Sequence, residues 1–169
     1  MTIYLDVDGV LNALDPFRLS DHTPGAETWP DFTEHDVSLN EGGGLRSVFR
    51  LYLSKQMAAA LWDVADGAII WHTTWNQGPP FSNKKISPLL DWPTLEYLPY
   101  SSDRYGDWWK WVELQQTELP KKWVWIDDDL AFENRAQEWA TEQGGLWIAP
   151  DSRVGITPAH IERIADYYG

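Results

Sequence analysis

The stretch Ile3-Tyr4-Leu5-Asp6-Val7-Asp8-Gly9-Val10-Leu11-Asn12 constrains this chain more than any other. Its apolar residues run straight up to Asp6, the pattern of a short strand buried on both faces. The strand then stops at two carboxylates one residue apart. Side chains alternate along an extended chain, so Asp6 and Asp8 share a side while Val7 points away. Gly9 follows at once, where the backbone must turn or be closely approached. Two acids crowded at a buried strand end repel each other and lose hydration unless a cation lies between them. A strand that merely ends in a polar turn is the plain alternative, and it is weighed against what the rest of the chain supplies.

A second strand with the same ending lies far downstream. Trp123-Val124-Trp125-Ile126 runs into Asp127-Asp128-Asp129, three consecutive acids that again call for a counter-cation. Between the two, Ala68-Ile69-Ile70-Trp71-His72 reads as a buried strand ending at Thr73-Thr74-Trp75-Asn76. A short hydroxyl side chain there, with backbone N–H groups, suits a site that holds oxygen atoms on which charge develops. Thr is also simply a good strand residue. His72 is expected to point into the opposite face of the sheet. Lys110 is a cation among Trp108, Trp109 and Trp111, either a snorkelling or cation–π lysine or a buried charge with a purpose. Lys121 and Lys122, in the turn before the acid-ended strand, read as solvated.

The other elements follow from periodicity and breakers. Residues 13–44 are rich in turn signals such as Asp15-Pro16, Thr23-Pro24-Gly25 and Gly42-Gly43-Gly44. A connection this long suggests a lid or binding loop, with Phe32–Val37 and Ser47–Leu53 pairing as an antiparallel flap. Ser54 reads as the N-cap of a helix over Gln56–Ala65 that Asp66-Gly67 ends. A loop and short helix fill residues 77–93, and Leu95–Leu98 is a third strand. Asp107 is positioned to cap a helix over 108–116. A helix over Ala131–Gln143 ends at Gly144-Gly145, Leu146–Ala149 is a fifth strand, and Thr157-Pro158 opens a last helix with Glu162 in its first turns. Strand, helix and strand in this order predict a parallel sheet.

Composition narrows the function. One domain spanning 1–169 is expected from a length of 169 residues, with 13–53 as a flap or minimal-cap insertion. The formal net charge of −13, with only 13 Lys and Arg, makes an extended nucleic acid or a membrane surface a poor partner. A small phosphorylated molecule, or one strand end bound locally, remains compatible with that charge. With no Cys, disulfides and thiolate metal sites are excluded. The longest apolar run, Met57–Trp62, is too short to span a bilayer. No basic, apolar leader precedes the first strand, so a cytoplasmic location is expected. Twelve Trp are unusually many, and serve either as core packing or as a stacking wall for a flat ring.

Taken together, Asp6/Asp8, Thr73, Lys110 and Asp127/Asp128 resemble, in order and strand position, the four motifs of the haloacid dehalogenase-like (HAD) superfamily. The tryptophan-rich strand ends and Val154-Gly155-Ile156-Thr157 are similar to small capless HAD domains of actinobacteria and their phages, some of whose relatives accompany RNA-repair enzymes. The resemblance implies an α/β fold, a three-layer α/β/α Rossmann-like sandwich with sheet order 5-4-1-2-3. It implies an active site at the C-terminal strand ends. It also implies a Mg²⁺-dependent phosphatase. Asp6 is then the nucleophile and Asp8 the general acid and base, while Thr73, with Thr74 as runner-up, and Lys110 hold the transferring oxygens. The Mg²⁺ ligands would be Asp6, Asp8 (through its carbonyl) and Asp128, with Asp127 beside them; the triple acid leaves that register open by one residue. Gly9, Asn12, Thr74 and Trp75 are the expected substrate-binding positions. The substrate would be a small phosphate ester or nucleotide. Two alternatives stand beside this: a nucleic-acid end-healing phosphatase, and a non-catalytic interaction protein that keeps the fold.

Overall fold

The structure is a computed structural model, and it describes residues 1–15, 28–39, 47–101 and 107–169. The turn signals at Pro16, Thr23–Gly25 and Gly42–Gly44, and the polar residues 102–106, lie outside the described residues. The first strand, β1 (Ile3–Leu5), is wholly buried. It lies in the middle of a five-stranded sheet, between β4 (Ile69–Trp71) and β6 (Val124–Ile126), with β5 (Glu96–Tyr97) and β7 (Leu146–Ile148) at the edges. The order is β5-β4-β1-β6-β7, and all four pairings are parallel. Leu5 lies level with Trp71 on one side and Ile126 on the other, so three strands end in register.

Alternation along these strands divides the core in two. Ile3, Leu5, Ile69, Trp71, Val124, Ile126 and Ile148 face α1 (Lys55–Ala65) and α4 (Pro158–Tyr168). On the other side, Tyr4, Trp123 and Trp125 pack with α2 (Trp109–Gln115) and α3 (Asn134–Glu142). The result is three layers, helices on both faces of a parallel sheet, the arrangement such strands require to bury both sides. All twelve Trp are buried or half-buried. Trp123 lies edge-on to Tyr4 at 6.0 Å, and Trp108 stacks on Trp125 at 5.0 Å. No helix among the described residues is long and apolar enough to cross a membrane.

The flap is a separate antiparallel hairpin of β2 (Thr33–Leu39) and β3 (Ser47–Leu53), in register from Thr33 opposite Leu53 to Leu39 opposite Ser47. Val37, Leu51 and Leu53 are buried beneath it, while Val48 and Phe49 are exposed.

Several local expectations are corrected. Asp107 does not cap α2; its carboxylate accepts from Arg135 at 2.9 Å, and Trp108 holds the N-cap position without a side-chain bond. The helix expected from Ala131 begins instead with a 3-10 turn over Asp128–Phe132, and α3 starts only at Asn134. At Glu133 the backbone leaves helical values, with φ −108° and ψ 64°, and separates the two. Thr157 caps α4 with Pro158 at its first position, but the reciprocal partner is His160, whose Nδ1 accepts from Thr157 N–H at 3.1 Å. The short helix after residue 80 is a π-helical turn, Ser82–Ile86, running into a 3-10 turn, Ser87–Leu90.

Ser54 is a buried N-cap whose hydroxyl accepts from Met57 N–H at 3.0 Å and donates to Asp31. Ser54→Ala removes both bonds and strands a helix N–H, while Asp31 keeps the N–H of Gln56 at 3.0 Å. It should destabilise the fold by about 1–2 kcal/mol, read as a lower urea midpoint at unchanged m-value.

Candidate functional site

Three strand ends meet above the sheet's C-terminal edge. The ladder continues one residue past each strand: Asp6 N–H donates to Ile126 O at 3.1 Å, His72 N–H to Leu5 O at 2.8 Å, and Asp127 N–H to Ile148 O at 3.1 Å. Asp6 and Asp127 are thereby fixed by sheet geometry rather than by a loop. Both fall on the side of the sheet that carries α2, whose second residue is Lys110.

Lys110 lies between them. Its Nζ donates to Asp6 Oδ2 at 2.5 Å and to Asp127 Oδ2 at 2.6 Å. All three side chains are buried, Lys110 with 2% and Asp127 with 0% of its surface exposed. Nζ also lies 5.6 Å from the Trp108 ring and 6.0 Å from the Trp109 ring, which cover it from solvent. Burial alone would lower the Lys110 pKa; the two carboxylates outweigh it and hold the ammonium above its ordinary value. Burial pushes the Asp127 carboxyl well upward, against the pull of Lys110. Lys121 and Lys122 are exposed, and Lys122 donates to the carbonyls of Tyr167 and Tyr168.

Asp128 completes the group. Asp6, Asp127 and Asp128 each offer a carboxylate oxygen within 4.8 Å of the others. Asp129 is exposed, and only its N–H turns inward, to Asp127 Oδ1 at 3.2 Å. Burial, with Asp6 and Asp129 adding to it, raises the Asp128 carboxyl to about 6. Gly9 explains why Asp128 can come so close. Its φ is +67°, and a Cβ there would overlap the Asp128 carboxylate. Three carboxylates against one ammonium leave negative charge uncompensated, and an all-oxygen donor set of this kind fits a hard divalent cation such as Mg²⁺.

Asp8 is held differently. Its Oδ1 accepts from Asn12 Nδ2 at 2.7 Å and its Oδ2 from the Trp75 indole Nε1 at 2.8 Å. Burial raises its pKa, and those two bonds oppose the rise. Val7 N–H donates to Asp6 Oδ1 at 2.7 Å, so the two acids of the first motif have distinct surroundings. Thr73 is fully buried and its Oγ1 accepts from Trp75 N–H at 3.3 Å, capping the turn Thr74–Asn76; Thr74 is exposed. His72 lies within the second core, 5.4 Å from Trp109 and 5.8 Å from Trp125, with neither ring nitrogen hydrogen-bonded. Burial, and then Lys110, hold it well below its ordinary pKa, so it is neutral.

Two contributors escaped the sequence reading. Ile156 N–H donates to Val10 O at 2.9 Å, and Gly155, at φ +74°, leaves room for that carbonyl where a Cβ would collide. Leu14 N–H reaches Ser152 O at 2.9 Å, so the loop before α4 clasps the loop that carries Asp8. The Val154–Thr157 segment was visible as a motif, but its contact with residues 10–14 was not.

Asp128 generates a pH prediction. Its folded pKa of about 6 exceeds the ordinary 3.8, so the folded protein binds more protons and its stability falls as pH rises between those values. In chelator, Asp128→Asn should melt higher than wild type at pH 7 and equally below pH 4, by calorimetry. Millimolar Mg²⁺ should raise the wild-type Tm and move the variant less. Lys110→Met leaves Asp6 and Asp127 without their cation, and should cost about 3–5 kcal/mol in chelator. Mg²⁺ should recover part of that loss in urea titrations.

A family model described as the HAD domain in Swiss Army Knife RNA repair proteins matches residues 2–161. Comparison with curated proteins and with solved structures found no match. The match takes in every strand of the sheet and every acid of the cluster. The chain belongs to that family of HAD-like hydrolase domains.

Proposed function

We propose that this domain is a Mg²⁺-dependent phosphatase that cleaves phosphate monoesters through an aspartyl-phosphate. The observation that carries the reading is the convergence of Asp6, Asp127 and Asp128 around Lys110 with Asp8 alongside. A scaffold gains nothing from clustered buried carboxylates; a site that must accept a phosphoryl group and a divalent ion does.

Asp6 is the nucleophile. One carboxylate oxygen forms a bond to phosphorus as the ester P–O bond breaks, and Asp8 transfers its proton to the departing oxygen. In the second half, Asp8 takes a proton from water as the water oxygen bonds to phosphorus and the Asp6–phosphorus bond breaks. Inorganic phosphate and the free carboxylate result. Lys110 has three donors. Two go to Asp6 and Asp127, and we assign the third to a phosphoryl oxygen. Thr73, Thr74 and the Gly9 backbone would hold the remaining oxygens. Asp6 and Asp128, with Asp127 and the Asp8 carbonyl beside them, would hold Mg²⁺, which when bound neutralises charge on the phosphoryl oxygens.

A small phosphate ester or nucleotide is the substrate class that the net charge of −13 favours. The family's description, which names RNA repair proteins, supports a second reading, removal of a phosphate from an RNA end. A short phosphorylated oligonucleotide compared with a mononucleotide across a salt series separates the two. Preference for the oligonucleotide that vanishes with salt marks strand binding. We place the domain in the cytoplasm, away from membranes.

Wild type should release phosphate from p-nitrophenyl phosphate only with a divalent cation present, and Asp6→Asn should fall to background. Asp8→Asn should lose about 10²–10⁴ in kcat. Equal rates in wild type and Asp6→Asn would remove the nucleophile from the scheme. No turnover across a broad ester panel would favour an interaction protein that has kept the fold.

A further inference from the structure

The hairpin β2–β3 is joined to the acid pair by two separate lines of contact, and both end on Asp8. The first runs through Asn12, which is buried at 3% exposure. Its Oδ1 accepts from the backbone N–H of Tyr52 in β3 at 2.8 Å, and its Nδ2 donates to Asp8 Oδ1 at 2.7 Å. A backbone N–H only donates, so Tyr52 settles which end of the Asn12 amide faces which way. The strand thereby determines that Asp8 meets an NH₂ and not a carbonyl. Ala13 N–H returns the link, donating to Tyr52 O at 3.2 Å. The second line runs through Trp75. Its Nε1 donates to Asp8 Oδ2 at 2.8 Å, while its ring lies edge-on to Phe49 of β3, centroids 5.4 Å apart. Phe49 is otherwise 42% exposed, a large apolar side chain at the surface whose ring contact is with the residue that holds Asp8.

We infer that Asn12 and Trp75 are positioning residues through which the hairpin β2–β3 aims the Asp8 carboxyl at the leaving group. The flap is on this account part of the proton-transfer apparatus, and a cover over the site only secondarily. The inference rests on the phosphatase reading above and adds to it how the general acid is placed. Among the described residues, Asp8 Oδ1 accepts from Asn12 and Oδ2 from Trp75. Rotation of the carboxyl about its side-chain bonds breaks one bond or the other. Small displacements of such a group carry a large rate cost, because proton transfer requires hydrogen-bond distance to the departing oxygen. The sequence reading placed Asn12 and Trp75 at the substrate. Asn12 hydrogen-bonds both Asp8 and β3, and Trp75 hydrogen-bonds Asp8.

The test uses leaving groups. An aryl ester such as p-nitrophenyl phosphate departs as a stable anion and depends little on an acid; an alkyl ester such as glycerol phosphate departs as an alkoxide and depends on it strongly. Trp75→Phe keeps the ring against Phe49 and removes only the N–H. It should lower kcat/KM, which covers the step that expels the leaving group, about tenfold more on the alkyl ester than on the aryl ester. Asn12→Leu should do the same. Phe49→Ala, a change at an exposed side chain that touches no acid, should shift the ratio in the same direction by less. Asp8→Asn gives the upper limit. Equal losses on both esters in Trp75→Phe and Asn12→Leu would overturn the inference and leave the phosphatase intact, since a merely structural role weakens both reactions alike. If wild type hydrolyses neither ester, the phosphatase reading has failed. The coupling is then read from the Trp75 indole N–H resonance, which should shift in both Asp8→Asn and Phe49→Ala. An indole signal unmoved by Phe49→Ala would overturn the link to the hairpin.

Discussion

The buried ammonium of Lys110 holds together what the rest of the site would push apart. Asp6 and Asp127 stand at the ends of adjacent strands, one wholly and one almost wholly removed from water. Without a cation their mutual repulsion and lost hydration would act directly on the centre of the sheet. Lys110 reaches both from a helix on one face, roofed by the rings of Trp108 and Trp109. It does not balance the charge, because Asp128 brings a third carboxylate to the group. The cluster is therefore left acidic, an oxygen donor set that could hold a divalent cation.

The core is built to make that arrangement rigid. Strands of two or three residues are short for a central sheet, and their register has little hydrogen bonding to define it. Bulk compensates. Trp71, Trp123 and Trp125 are among the largest fully buried side chains, and with Tyr4 and Trp109 they fill both faces of the sheet close to the strand ends. His72 sits in that aromatic packing as a neutral ring beneath Lys110. Gly9 and Gly155 do the opposite service. Each is the residue without a side chain where a carboxylate or a carbonyl must approach the loop that carries Asp8.

Much of this was legible in the chain. A strand that ends in acids announces itself, because apolar runs and carboxylates have opposite solvent preferences and rarely meet without cause. The same contrast marked Lys110 among its tryptophans. Element ends were less legible. Asp107 looks like a cap, yet Arg135, distant in sequence, takes its carboxylate. Thr157-Pro158 marks the start of the last helix, yet nothing local marks His160 as the residue that accepts from the Thr157 N–H. The helix after Asp129 reads as continuous, but Asp127 captures the Asp129 N–H and tightens the first turn into a 3-10 form. In each case a side chain chose between partners of similar chemistry on distance alone.

By itself, then, the order of residues determined where the acids, the cation and the aromatic walls fall along the chain, since residue type and the alternation of a strand settle what can be acid, cation or wall. Only the folded chain decided how they face one another: that Asp127 shares Lys110 with Asp6, that Asp128 fits over Gly9, and that Asn12 and Trp75 serve Asp8. These depend on contacts such as Tyr52 with Asn12, 40 residues apart, and Lys110 with Asp6, 104 residues apart, where a fraction of an ångström separates a hydrogen bond from a near miss. Local pattern carries no information at that scale; the packing of the whole sheet does.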